Sequence, residues 1–174
     1  MKLAILLGAV TIGLSFIISS VADKYGTDVG RRFLERGKAY ILEGGKECNA
    51  ACLRDWSEKN SSNARHYVMP VLFPLDLMFM FALGAFLACG SITCAQSITL
   101  LRNWAWLFAI LPGLYVAADL LEDCLLARLL LAPANITDGA VAFAKTVTAV
   151  KIKTAGIAIT QTVLVAAASL FWGQ

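Results

Sequence analysis

Four apolar runs, each about as long as a bilayer is thick, constrain this chain more than any other feature it has. A helix needs about 20 predominantly apolar residues to cross the hydrocarbon core, and stretches at about 3–21, 67–90, 104–131 and 140–172 meet that length. Inside lipid every backbone N–H and C=O must find its partner within the protein, so runs of this kind are helical. The expected fold is all-α: a four-transmembrane-helix bundle with a long hydrophilic loop, residues 23–66, between helices 1 and 2. Composition agrees, since 59% of the 174 residues are hydrophobic and 16% are charged, against about 25% charged in soluble domains. Four crossings and their connections use up the chain, which is read as a single membrane domain over 1–174.

Each run carries its own punctuation. The first, Leu3 to Val21, has no charge after Lys2, and it also fits a signal peptide with Ser20-Val21-Ala22 as a small-residue cleavage site; its length favours a retained helix. Residues 23–66 hold nine Lys/Arg and seven Asp/Glu. Within them Val29, Phe33, Leu34, Tyr40 and Ile41 recur at near-helical spacing, as in an amphipathic helix on a membrane surface or across the mouth of the bundle, ended by Gly44-Gly45. Pro70 and Pro74 are expected to kink or delay the first turns of helix 2, whose Gly84 and Ala88 offer a small face for close helix approach. Pro112-Gly113 is expected to bend helix 3. Trp104 and Trp106, with Phe171 and Trp172 at the far end of helix 4, read as interfacial anchors.

The anomaly is charge at membrane depth. Asp119, Glu122 and Asp123 are spaced i, i+3, i+4 and share one face of helix 3. At 1.5 Å per residue Asp123 lies about 12 Å and Asp119 about 18 Å below Leu131, while Asp76 lies about 13 Å below Tyr67 on helix 2. These depths allow the carboxylates to meet inside the bundle. Crowded carboxylates repel, so protons, a cation or basic side chains must share the site. Arg65, His66, Lys145, Lys151 and Lys153 are the candidate bases, with Lys151 and Lys153 better placed, whereas Arg128 projects away and snorkels. The expected polar cluster is Asp76, Asp119, Glu122, Asp123 and Lys151. It serves either as a salt-bridge network that registers the helices, as a proton or cation pathway, or as a lipid-headgroup or small-molecule pocket.

Other chemistries find less support. With one histidine in the chain, imidazole-rich metal ligation is excluded and no metal site is expected. No cofactor is indicated. No nucleophile elbow, phosphate loop or haem-ligand pair occurs, which leans away from an enzyme. Cys48 and Cys52 share the hydrophilic loop as a possible disulfide, but their CxxxC spacing is not the CxxC of thioredoxin-like sites. Cys89 and Cys94 fall near the opposite end of helix 2, and Cys124 stands alone in helix 3, so a thiol-disulfide oxidoreductase is the weakest alternative. A net charge of +3 without a basic run makes nucleic acid an unexpected partner.

Sidedness is contested. Of the 15 Lys/Arg, 13 fall on the side of the first and third loops, which by the positive-inside rule puts the long loop in the cytoplasm. Two sequons, Asn60-Ser61-Ser62 and Asn135-Ile136-Thr137, lie on that same side and pull the other way. The charge count is the larger signal.

Tyr25-Gly26, Pro74-Leu75-Asp76-Leu77-Met78-Phe79, Asp119-Leu120-Leu121-Glu122-Asp123 and Thr148-Ala149-Val150-Lys151 together resemble a family of small, functionally uncharacterised four-helix membrane proteins. The resemblance spans most of the chain and implies the fold and a shared cluster. This sequence departs from the family pattern at Asp123, where that pattern has Asn. From small size and close-packing helices the expected function is a non-catalytic subunit or scaffold of a larger membrane assembly. Its expected partners are membrane lipids and other membrane protein subunits. A lipid-directed or proton/cation-coupled activity at the cluster is the alternative.

Overall fold

In a computed structural model, which describes residues 2–32 and 49–172, the chain is helical, with no strand among the described residues. Helix α1 spans Lys2–Arg32, α2 Ala50–Lys59 and α3 Ser61–His66. After an irregular segment, Tyr67–Asp76, come α4 (Leu77–Ser97), a tight 3-10 turn segment (Arg102–Ala109), α5 (Ile110–Leu131) and α6 (Asp138–Trp172). Four spans are long and apolar enough to cross a membrane: Lys2–Ala22, Ser61–Ser97, Arg102–Leu131 and Asp138–Trp172. The protein is a multi-pass helical membrane bundle.

Helix α1 continues as a helix about ten residues past its apolar run. The hydrophilic segment contributes α2 and α3, α2 being capped by the Asn49 side chain, which accepts a hydrogen bond from the Cys52 N–H at 2.9 Å. The amphipathic stretch expected through Tyr40 and Ile41 and its Gly44-Gly45 stop lie outside the described residues.

The prolines of the second span act twice. Met69 and Phe73, the residues before Pro70 and Pro74, are extended at φ −128°, ψ 109° and φ −126°, ψ 115°. Clash with the following proline ring disfavours the helical region for them. Regular winding resumes only at Leu77, so Asp76 sits at the junction between kinked chain and helix. Near Pro112-Gly113 the winding changes from 3-10 to α. The change comes at Ile110, and Pro112 occupies the first turn of α5, where its missing N–H leaves the Phe108 carbonyl four residues back to accept from Gln161 Nε2 at 2.8 Å.

Packing makes α4 the central helix, in contact with α1, α5 and α6, while α5 and α6 make the most extensive pair. Gly84 explains the closeness of α4 to α5: a Cβ there would lie 2.3 Å from Val116 Cγ2, far inside van der Waals contact. Above the membrane-depth charges, Leu53, Ala64, Val68, Leu126, Leu130 and Ile136 belong to one apolar core, so α2 and α3 lie over the end of the bundle as a plug. Arg54 ties this plug to the α5–α6 connection by donating to the Ile136 carbonyl. Trp104, Trp106, Phe171 and Trp172 are exposed, as interfacial side chains are.

Candidate functional site

The cluster is assembled from three directions. Asp119, Glu122 and Asp123 occupy successive positions of one α5 face, and that face turns inward: they are 1%, 3% and 2% exposed. Lys151 comes from α6. Its Nζ lies 2.8 Å from Asp119 Oδ1 and 2.6 Å from Glu122 Oε2. The contact to Glu122 is a hydrogen bond as well as an ion pair, whereas that to Asp119 is an ion pair without hydrogen-bond direction. Asp76 arrives from the kinked segment and is half-buried. One carboxylate oxygen each from Asp76, Asp119 and Asp123 lies within 4.8 Å of the others.

The kink at Phe73-Pro74 therefore has a positional consequence. It delays the helix so that Asp76 sits at its start, facing two α5 carboxylates one turn apart. On α6, Thr148 precedes Lys151 by three residues and shares its face. The Thr148 hydroxyl donates to Glu122 Oε1 and also lies 3.1 Å from the Ala144 carbonyl. Both Glu122 oxygens are thus engaged by α6, one by Thr148 and one by Lys151. On α5, the buried Tyr115 lies one turn before Asp119 on the same face.

Asp123 is different. Its Oδ2 is buried and has no hydrogen-bond partner among the described residues. A buried carboxylate oxygen without a donor carries the whole cost of its desolvation.

The five residues expected from the sequence to form the cluster come together in this site. Comparison with protein families, curated proteins and solved structures finds no match. The chemistry of the site therefore has to be read from its own side chains.

Of the other candidate bases, Lys153 is exposed and lines an apolar groove with Phe108, Gly156 and Gln161 on the outside of the bundle. Neighbouring positions on a helix do not share a face, and Lys151 takes the inward one. Lys145 is half-buried, and Arg65 and Arg128 are exposed. His66 stacks on Tyr25 of α1 with ring centroids 5.1 Å apart and planes at 15°. Sequence reasoning missed Thr148 and Tyr115 as members of the site. The signal for both was helical spacing, i−3 from Lys151 and i−4 from Asp119.

Cys52 is disulfide-bonded, and Cys48, its expected partner, lies outside the described residues. Cys89, Cys94 and Cys124 are free thiols.

Farther along the bundle the polar contacts are neutral. Ser91 Oγ and Thr162 Oγ1 are 2.8 Å apart between α4 and α6. Gln161 Nε2 donates to the Phe108 carbonyl at 2.8 Å.

Proposed function

We infer that this protein is an ion-coupled membrane protein, whose bundle takes up and releases a small cation, a proton or a metal ion, at the carboxylate cluster. One observation carries the reading: a third α5 carboxylate, Asp123, is buried with an oxygen that no described donor meets. A cluster that served only to join helices would be complete with Lys151 held between Asp119 and Glu122. Asp123 adds a further carboxyl beside that clasp without a hydrogen bond at Oδ2, and an ionisable group kept at such cost inside a membrane has the character of a functional site. Access is asymmetric. The apolar plug of α2 and α3 covers one end, and Asp76, half-buried, and Lys151, 15% exposed in its side chain, are the most exposed members of the cluster.

The subunit or scaffold reading is supported by a different observation, the two ion pairs and the Thr148 bond that fasten α5 to α6. It accounts for Glu122 and Lys151 and leaves Asp123 unexplained.

Reconstitution separates the two. Purified protein in liposomes loaded with a pH- or cation-sensitive dye is expected to carry a gradient-driven signal above empty liposomes. Asp123→Asn is expected to abolish that signal while the protein stays monodisperse with an unreduced melting temperature. A wild-type signal equal to empty liposomes under both proton and cation gradients refutes ion coupling.

A further inference from the structure

We propose that the cluster is a binding site for one hard divalent cation, Ca2+, Mg2+ or Mn2+, held by Asp76, Asp119 and Asp123; this deepens the ion-coupled reading and rests on it. Two independent observations point to a ligand. The first is convergence: three carboxylates from two separate elements each bring an oxygen within 4.8 Å of the other two. Oxygens on opposite sides of Ca2+ stand about 4.6–5.2 Å apart and those around Mg2+ about 4.0–4.2 Å, taking twice the usual metal–oxygen distances. The three oxygens thus lie no farther apart than opposite ligands of one Ca2+, close enough for small side-chain movements to bring them onto a single ion. The second is the orphan: Asp123 Oδ2 is buried and lacks a donor among the described residues, the condition a metal–oxygen bond would relieve.

The rest of the cluster fits the same role. Oxygen-only ligands select hard cations over zinc or copper, so a chain with a single histidine is no obstacle. The expectation of no metal site rested on that histidine count, and carboxylate ligation escapes it. Asp119 and Asp123 are one helical turn apart, which brings their side chains onto one ion. Lys151 and Thr148 occupy both oxygens of Glu122, which leaves Glu122 a fixed wall. The ion pair of Lys151 with Asp119 is at Oδ1. Crowded carboxylates need protons, basic side chains or a cation among them, and a divalent ion bound to the aspartates would displace any proton they share. Ligands beyond the three aspartates would be water, as such ions commonly retain it, on the half-buried Asp76 side.

The test uses full-length protein in detergent or nanodiscs at fixed neutral pH, stripped with chelator and titrated with Mn2+ under electron paramagnetic resonance. One saturable site per chain is expected, displaced by excess Ca2+ or Mg2+. Asp123→Asn and, separately, Asp76→Asn are expected to weaken it at least ten-fold. Ser91→Ala, far from the cluster, is expected to bind as the wild type does. No saturable Mn2+ site in folded wild-type protein overturns the proposal, as does a site that both aspartate variants leave unchanged. If Mn2+ does not bind but liposomes still show proton uptake that Asp123→Asn abolishes, the metal assignment fails and ion coupling stands. If neither occurs, both fail.

Discussion

The two ends of the bundle deal with buried polarity in opposite ways. Where α4 and α6 meet around Ser91, a hydroxyl pair joins the helices, and nearby Gln161 reaches the Phe108 carbonyl. These groups are uncharged, and each donor has an acceptor. About 21 Å along α4, near its start, the same helices and α5 surround four carboxylates and a lysine, and one carboxylate oxygen lacks a donor among the described residues. Neutral contacts join helices in lipid without any large desolvation cost. The neutral end therefore shows what helix association in this protein requires, and the charged end exceeds it.

The sharpest way to break this contrast is to remove the lysine. Lys151→Met leaves Asp119 and Glu122 buried without their ion-pair partner, and losing one member of a buried pair costs about 3–5 kcal/mol. Melting of the detergent-solubilised protein, followed by circular dichroism, is expected to drop steeply, with partial recovery in Lys151→Met/Glu122→Gln. An unchanged melting point shows that the clasp contributes nothing to stability. Next in size is a purely steric test away from charge. Gly84→Ala pushes a methyl against Val116, whose branched side chain has little freedom to yield, and such overpacking costs about 1–3 kcal/mol. Val116→Ala in the same chain is expected to restore most of the loss.

Asp123→Asn is expected to move stability the other way. Without divalent cation it removes a buried carboxyl whose oxygen lacks a partner and raises stability by about 1 kcal/mol. With Ca2+ in excess the order reverses, because the wild type, with the tighter site, gains more from a bound ion. The same pair of melts in chelator and in Ca2+ checks both signs. A variant less stable than wild type in chelator means Asp123 already has a favourable partner in the folded state.

Much of this was legible in the sequence, and what was not has particular causes. Four apolar runs specify four helices because lipid leaves the backbone no other choice, and the i, i+3, i+4 spacing of Asp119, Glu122 and Asp123 puts them on one face in any helix. Depth counting brought Asp76 level with them. The kinked or delayed start that Pro70 and Pro74 announce was legible too, but not its length: Met69 and Phe73 are both extended and regular winding resumes only at Leu77. Nor could spacing choose between Lys151 and Lys153. They lie two residues apart on α6, at similar depth, and only the packing of α6 on α5 decides which faces inward. Thr148 escaped because a threonine in an apolar helix usually bonds its own backbone. Here it has the Ala144 carbonyl within reach and still donates to Glu122.

The smallest effect tests the neutral end alone. Thr162 has a local alternative, the Ala158 carbonyl at 2.8 Å. Removing one hydroxyl therefore strands little, and interhelical hydrogen bonds of this type contribute about 0.6 kcal/mol in membrane proteins. A double-mutant cycle over Ser91→Ala and Thr162→Ala, read as unfolding free energies in mixed micelles, is expected to give a coupling near that value. Repeating the cycle in chelator and in Ca2+ is expected to leave it unchanged, because the pair and the cluster lie far enough apart for their effects to add. A coupling that changes with Ca2+ makes the two ends a single cooperative unit, and the contrast between them no longer divides association from ion binding.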